Sequence, residues 1–174
     1  IDPSSFGVFL EILTEMGVQL STTSSTVTVR CTAPLKAVNV KTGPFPELAT
    51  DLQPLLMAAL TVAEGTSTIE ETIYEGRFGH ASELARMGAQ IKIVDRTVVI
   101  EGVSKLTGAP VDGLDIRAAA ALVLAALAAD GRSEIHELHH LRRGYEHVER
   151  KMGALGAKLL ARISDPEDFI FAGC

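Results

Sequence analysis

Residues 115–131 read DIRAAAALVLAALAADG, an aspartate followed by a run of Ala, Leu and Val that ends at a glycine. This composition predicts a helix whose apolar residues cover every side. A helix that has no polar face must be buried all round. The segment therefore predicts a fold in which a helix lies in the interior, packed inside sheets, and does not coat the outside of a sheet.

A second segment has the same plan, so the interior helix belongs to a repeat. In both copies an aspartate opens an apolar run, a glycine ends the run, and an arginine stands 12 residues beyond that glycine. The positions are Asp51, Gly65 and Arg77 in the first copy, and Asp115, Gly131 and Arg143 in the second. Repetition of this kind indicates repeated structural units.

The phrase Leu-x-x-Met-Gly-x-Gln marks where the helices of the repeat end. It occurs at residues 13–19 and 84–90, with a looser copy at 155–159. Each glycine predicts a helix end that a strand follows directly, and the order within a unit becomes β-α-β-α-β-β. We predict one domain of mixed α/β (α+β) class with four parts: a partial first unit over 1–40, a second unit over 41–102, a third unit over 103–162, and a tail over 163–174.

Individual elements follow from local patterns. Residues 26–31 alternate with period two and predict a strand. Residues 91–94 and 97–101 enclose an Asp-Arg pair and predict a hairpin. The two apolar runs predict helices over 52–63 and 116–129.

Composition excludes several classes of protein. The chain has 16 basic and 22 acidic residues and a formal net charge of −6, so it has no cationic field to attract a nucleic acid. The longest apolar run, residues 118–129, is 12 residues long, whereas a membrane span needs about 20. The first stretch is acidic and has no basic start typical of a secretory signal. We expect a cytoplasmic protein that binds neither nucleic acid nor membrane.

No metal ion or cofactor is expected. His136, His139 and His140 are close in sequence, but a strand followed by a turn does not require their side chains to converge on one ion. The chain has no Walker loop, dinucleotide fingerprint or nucleophile elbow. Cys31 and Cys174 are predicted to be free thiols, the first of them buried in a strand.

Asp51 is the most informative acid, and two interpretations of it stay open. As an N-cap, its carboxylate would accept backbone N–H bonds at the start of the buried helix. As a general base, it would face a cleft at the junction of loop and helix and take a proton from a hydroxyl group. Asp115 is the equivalent residue of the second copy.

Arg77 and Arg143 also have two interpretations. Each follows a predicted strand in irregular sequence, where a guanidinium group can bind a carboxylate or a phosphate. The simpler interpretation pairs Arg77 with Glu75 and Arg143 with Glu146, or leaves both arginines in solvent.

Six motifs, in order and at matching spacing, carry a resemblance over nearly the whole chain. They are TDLQ at 50–53, EGRF at 75–78, ELARMGA at 83–89, GAPV at 108–111, DIRA at 115–118 and HLRRGYE at 140–146. Together they resemble the UDP-N-acetylglucosamine 1-carboxyvinyltransferase family of enolpyruvyl transferases. The resemblance implies an inside-out α/β barrel of β-α-β-α-β-β units, with helices inside and sheets outside. The chain would be most of the C-terminal-half domain of such an enzyme.

The resemblance also implies a reaction and a set of site residues. The family transfers the enolpyruvyl group of phosphoenolpyruvate to the 3′-hydroxyl of UDP-N-acetylglucosamine, a step of peptidoglycan synthesis that uses no cofactor. Asp51 matches the carboxylate thought to deprotonate that hydroxyl, and Ile73 matches a residue whose backbone contacts the nucleotide sugar. The other substrate-binding candidates are Arg77, Asp115, Arg117 and Arg143.

Some positions depart from the family pattern, and part of the family's active site is not in this sequence. Gly76 replaces the usual Asn, Arg142 an Asp, Ile116 a Leu and Ala49 a Pro. The family's mobile cysteine loop, a lysine–asparagine pair and a further arginine belong to the N-terminal-half domain, the expected partner. We therefore expect this chain alone to be inactive. The alternatives are a domain like that of 3-phosphoshikimate 1-carboxyvinyltransferase, or a diverged, non-catalytic binding module.

Overall fold

The computed structural model describes residues 2–162 and 169–173 and has a mixed α and β fold. Its helices are α1 (Phe9–Glu15), α2 (Gln53–Leu60), α3 (Gly79–Arg86), α4 (Ile116–Ala128), α5 (Leu138–Arg142) and α6 (Val148–Ala154), with a short 3-10 helix at Pro3–Phe6. Its strands are β1 (Gln19–Thr22), β2 (Val27–Arg30), β3 (Asn39–Lys41), β4 (Thr66–Glu70), β5 (Gln90–Val94), β6 (Thr97–Glu101), β7 (Leu106–Thr107), β8 (Pro110–Asp112), β9 (Ala129–Asp130), β10 (Arg132–His136), β11 (Leu159–Arg162) and β12 (Phe169–Gly173).

The apolar runs form largely buried helices, although α4 is not buried all round as its composition predicts, because Leu124 and Ala128 are exposed on one side. Helices α2 and α4 pack against each other, and α4 also contacts α3, α5, β10 and β12. All residues from 118 to 123 are buried, while Leu124 on the same helix remains 40% exposed. Helix α2 is shorter than the predicted range 52–63 and buries Leu56, Met57 and Leu60 almost completely.

The two copies build sheets with the same strand order. In the first sheet the order is β3-β4-β6-β5, and in the second it is β8-β10-β12-β11. In both sheets the first pair is parallel and the remaining pairs are antiparallel. Residues 169–173, which the sequence analysis placed in the tail, form β12 between β10 and β11.

Local predictions of turns and helix ends are confirmed. Strands β5 and β6 form the expected hairpin, and Asp95 in its turn has a φ of 53°. Gly17, Gly88 and Gly156 follow the ends of α1, α3 and α6 with φ of 92°, 93° and 95°, a region that favours glycine. Across residues 2–162 and 169–173, no helix combines the length and the apolar character that crossing a bilayer requires.

The prediction for Cys31 is wrong in one respect. Strand β2 ends at Arg30, so Cys31 follows the strand and is exposed. It is a free thiol, as predicted, and its sulfur donates to the carbonyl of Ala33 at 3.2 Å. Cys174 lies outside the described residues.

Candidate active site

Asp51 lies two residues ahead of α2 and does not cap it. The N-cap residue is Leu52, and it makes no side-chain capping bond. A capping carboxylate accepts from the N–H of the second or third residue after it, and Pro54, the third residue after Asp51, has no N–H to offer. Instead, Asp51 Oδ1 accepts hydrogen bonds from Arg77 at 3.0 Å and from Arg117 at 3.2 Å, while its side chain is 69% exposed. The capping interpretation of Asp51 is therefore wrong.

Asp115, the equivalent acid of the second copy, does cap its helix. Its Oδ1 accepts the N–H groups of Arg117 at 2.7 Å and Ala118 at 3.0 Å. Burial alone raises the pKa of the Asp115 carboxyl, but these backbone bonds and the Arg117 guanidinium outweigh burial, and the net pKa is lower than usual. Asp115 is consequently an anion at neutral pH.

Arg117 joins the two copies. Its guanidinium group donates to Asp51 and, from Nε and NH2, to both oxygens of Asp115 at 3.3 Å. Burial lowers the pKa of Arg117, yet the two carboxylates more than offset that effect and leave the pKa above its ordinary value. A fixed cation thus stands between the start of α4 and the loop that precedes α2.

Arg77 is held from three sides, and none of its partners is Glu75. Its NH1 donates to Thr50 Oγ1 at 2.8 Å as well as to Asp51, and its guanidinium carbon lies 4.6 Å from the ring centre of Tyr74. The side chain is only 10% exposed. Glu75 pairs with Arg96 instead, so the simpler interpretation of Arg77 is wrong.

Glu71 is a central residue to which the sequence analysis gave no role. Its carboxylate is 1% exposed and accepts from the hydroxyls of Thr42 at 2.8 Å and Thr50 at 2.9 Å. It also accepts the backbone N–H groups of Ile73 at 2.9 Å and Tyr74 at 3.0 Å. Burial raises the pKa of Glu71, but these four bonds reverse that effect, and the pKa is lower than usual. Glu71 is two residues beyond Ile69 and therefore continues the inward-facing positions of β4, and this period-two spacing is the sequence signal that could have revealed it.

The loop after β4 presents Ile73 to solvent. The Ile73 side chain is 48% exposed, and its backbone is tied to Glu71. Gly76, in the same loop, has a φ of 72°, where glycine and asparagine are the residues best tolerated. The departure from Asn to Gly at this position therefore preserves the backbone conformation.

Arg143 is the candidate that the structure does not join to the others. It is the C-cap of α5 and is exposed, and over the described residues its side chain makes neither a hydrogen bond nor an ion pair, so the predicted pair with Glu146 is absent there. The neighbouring Gly144 packs so closely on Ile116 that an added Cβ would collide with that side chain. This contact places the backbone beside Arg143 against the first residue of α4.

His80, in the first turn of α3, is a buried base next to this cluster. It is 3% exposed, and its Nε2 finds no hydrogen-bond partner within the described part of the chain. Burial lowers the pKa of His80 to about 4; the Asp115 charge opposes this shift and the Arg117 charge adds to it. The imidazole is therefore neutral at pH 7.

We expect acid to destabilise the fold through His80. Between pH 6.5 and about 4, the unfolded chain binds a proton that the folded chain excludes, so stability falls as the pH falls. The loss approaches about 3 kcal/mol at the acid end, since one pKa unit is worth about 1.4 kcal/mol. Glu71 and Asp115 start from ordinary values of 4.5 and 3.8 and are shifted lower, so they add their losses at more acid pH.

Urea unfolding at several pH values tests this expectation. In His80→Leu the slope of the free energy of unfolding between pH 6.5 and 4.5 should largely disappear. The exposed His147, replaced by Asn, serves as the control and should keep the slope. An unchanged slope in His80→Leu would contradict the assignment.

The cluster has a definite chemical capacity. The guanidinium groups of Arg77 and Arg117 converge on one oxygen of the exposed Asp51 carboxylate. Two further acids hold these partners in place, since Asp115 binds Arg117 and Glu71 binds Thr50. Fixed cations of this kind stabilise developing negative charge. An open carboxylate can accept a proton from a bound hydroxyl group.

Comparison with known proteins identifies the family of the chain. The profile of the EPSP synthase (3-phosphoshikimate 1-carboxyvinyltransferase) family matches residues 1–152. The chain is 50% identical over 148 residues to the UDP-N-acetylglucosamine 1-carboxyvinyltransferase of Desulfovibrio desulfuricans, which covers 84% of this chain and 36% of that protein. It is 52% identical over 147 residues to UDP-N-acetylglucosamine 1-carboxyvinyltransferase 1 of Caldanaerobacter subterraneus, with 84% and 35% covered.

Solved structures give the same result. The enolpyruvyl transferase NikO from Streptomyces tendae superposes with a TM-score of 0.82 at 33% identity, over 89% of this chain and 36% of that one. An EPSP synthase from Acinetobacter baumannii, at 21% identity, shares the fold with a TM-score of 0.69 over 94% of this chain and 38% of its own. The chain spans about a third of the length of these relatives. Because the family profile covers residues 1–152, the chain belongs to the EPSP synthase (3-phosphoshikimate 1-carboxyvinyltransferase) family of enolpyruvyl transferases.

Proposed function

We propose that the chain is one domain of an enzyme that transfers the enolpyruvyl group of phosphoenolpyruvate to the 3′-hydroxyl of UDP-N-acetylglucosamine. The observation that carries the proposal is the exposed Asp51 carboxylate held by Arg77 and Arg117 where the two copies meet. The names of the relatives at 50% and 52% identity support the choice of substrates. The enzyme would act in peptidoglycan synthesis in the cytoplasm.

In this reaction the 3′-oxygen bonds to C2 of phosphoenolpyruvate while a general acid of the second domain adds a proton to C3. The enolpyruvyl double bond re-forms when C3 loses a proton and phosphate leaves from C2. Asp51 takes the proton of the hydroxyl group as the new C–O bond forms. The tetrahedral intermediate carries both a carboxylate and a phosphate, and Arg77, Arg117 and Arg143 supply the positive charge that it needs. The backbone of Ile73 contacts the nucleotide sugar, and Asp115 binds at the same site while it orients Arg117.

The proposal extends to the architecture of the whole enzyme. The domain would be an inside-out barrel, with α2 and α4 inside and the two four-stranded sheets outside, built from the units predicted at 1–40, 41–102 and 103–162. The burial of α4 and the identical strand order of the two sheets support it. The second domain of the enzyme would supply the cysteine loop, and the pocket would lie between the two domains.

A second candidate is transfer to 3-phosphoshikimate, which the name of the family profile favours. Identity to the solved EPSP synthase is 21%, far below that to the UDP-N-acetylglucosamine enzymes. A non-catalytic binding module draws its support from Gly76 and Arg142 alone, and Gly76 keeps a backbone conformation that Asn also tolerates.

A chimera tests the proposal. The part of the Desulfovibrio desulfuricans relative that aligns with this chain is replaced by this chain, and phosphate release from phosphoenolpyruvate is measured. We expect release with UDP-N-acetylglucosamine and none with 3-phosphoshikimate, and no release with either acceptor from this chain alone. Release with 3-phosphoshikimate alone would favour the second candidate. Turnover by the isolated chain would contradict the need for a second domain.

A further inference from the structure

We propose that Glu137, His139 and His140 form a binding site for a divalent transition-metal ion of the zinc class. No metal site was expected, because a strand followed by a turn does not require the side chains of His136, His139 and His140 to converge on one ion. In the structure the donors are a carboxylate and two adjacent imidazoles at the start of α5. None of the three belongs to the Asp51 cluster, although the backbone of His140 accepts a hydrogen bond from that of Arg143 at 3.3 Å.

The three donor atoms already lie close together. All of them are within 4.8 Å of one another, and Glu137 Oε2 lies 3.1 Å from His139 Nδ1. The imidazole rings of His139 and His140 have centroids 4.0 Å apart and are tilted by 37°. Ligands bound at 2.0–2.1 Å in a tetrahedral zinc site stand about 3.3 Å apart. Small side-chain rotations would therefore bring the three donors onto one ion.

Comparison of the two copies shows why Glu137 is available. Glu71 is the equivalent residue of the first copy. It points into the core, where its carboxylate accepts four hydrogen bonds. Glu137 instead adopts a left-handed φ of 61°, and its side chain is 54% exposed. Its partner in the described part of the chain is His139, itself 62% exposed. The carboxylate of the second copy therefore points outward and lies beside His139 and His140.

The donor set suits a borderline-soft ion. Imidazole nitrogen together with a carboxylate oxygen is the ligand set of many zinc sites, and imidazole also binds Co²⁺, Ni²⁺ and Cu²⁺. Ions that prefer only oxygen ligands, such as Mg²⁺ and Ca²⁺, would gain little from two histidines. The exposure of Glu137 and His139 leaves room for water in the remaining coordination position.

Zinc titration by calorimetry tests the proposal, with Co²⁺ absorption as a second measurement of coordination. Both are done on the chain with Cys31→Ser and Cys174→Ser, so that thiolates cannot bind the ion. We expect one Zn²⁺ per chain, and a Co²⁺ spectrum typical of four-coordinate geometry. His139→Ala and His140→Ala should each weaken Zn²⁺ binding by more than about tenfold. Loss of a residue that only hydrogen-bonds to a metal ligand usually costs at least that much, and loss of a ligand itself should cost more. Glu137→Gln should weaken it as well.

The chain offers matched controls nearby. Glu146 is an exposed acid that pairs with Lys151, and His147 is an exposed histidine with a φ of 48°. Glu146→Gln and His147→Asn should leave the affinity for Zn²⁺ unchanged. Binding that survives the double change His139→Ala and His140→Ala would overturn the proposal, as would the absence of Zn²⁺ binding in the parent chain. Thermal unfolding of each variant without metal establishes that the fold is intact.

Discussion

Asp51→Asn, introduced into the chimera, is expected to lower the rate of phosphate release by about 10²–10⁴-fold, the usual contribution of a general base. Asparagine keeps an acceptor oxygen for Arg77 and Arg117, so the cluster should retain its shape. What is lost is the capacity to accept the hydroxyl proton. Affinity for UDP-N-acetylglucosamine should change only slightly, because the geometry of the site is preserved. Steady-state phosphate release and calorimetric titration of the sugar nucleotide measure the two effects separately.

Asp115→Asn is the matched control for this change. Asparagine caps helices about as well as aspartate, so α4 should remain intact. The charge pair with Arg117 is weakened, which should raise the KM for phosphoenolpyruvate more than it lowers kcat. If Asp115→Asn lost as much turnover as Asp51→Asn, or if Asp51→Asn kept most of its turnover, Asp51 would not be the base.

The difference between these two aspartates was not predicted, although the sequence contained the reason for it. Both open an apolar run, and by that pattern alone both are N-caps. Asp115 immediately precedes its helix, whereas Asp51 stands two residues ahead of α2. Pro54 lacks one of the two N–H groups that a cap at Asp51 could use, and the carboxylate binds guanidinium groups instead. The missed signal was therefore the proline three residues after Asp51.

Helices and hairpins that are determined by residues close together in the sequence were predicted well. Helix α4 and the β5–β6 hairpin follow from composition and alternation within a few residues, and the structure has both. Partners distant in sequence were not predicted. The simpler interpretation paired Arg77 with the nearby Glu75, but Arg77 binds residues 26 and 27 positions away, because the fold brings the loop before α2 next to the loop after β4. The resemblance to a family placed Arg77 in the site where pattern alone did not.

Glu71→Ala is expected to destabilise the fold by about 3–5 kcal/mol, the cost of removing one member of a buried charged network. The change leaves two hydroxyls and two backbone N–H groups without their acceptor, and each such loss is costly in a buried position. Urea unfolding measures the effect. Glu70→Ala is the control: the Glu70 carboxylate forms an exposed pair with Lys41, and loss of this pair should cost no more than about 1 kcal/mol.

Glu71→Gln separates the two halves of the network. Oε1 accepts from Thr42, Ile73 and Tyr74, and an amide oxygen in its place keeps those three bonds. Oε2 accepts from Thr50, whose hydroxyl also receives the Arg77 guanidinium, and an amide NH₂ there supplies a donor where an acceptor is needed. Glu71→Gln should therefore unfold at a urea concentration between those of the parent and Glu71→Ala, yet lose turnover in the chimera nearly as fully as Glu71→Ala. If its turnover followed its stability instead, Glu71 would only support the fold and would not position Arg77 and Asp51.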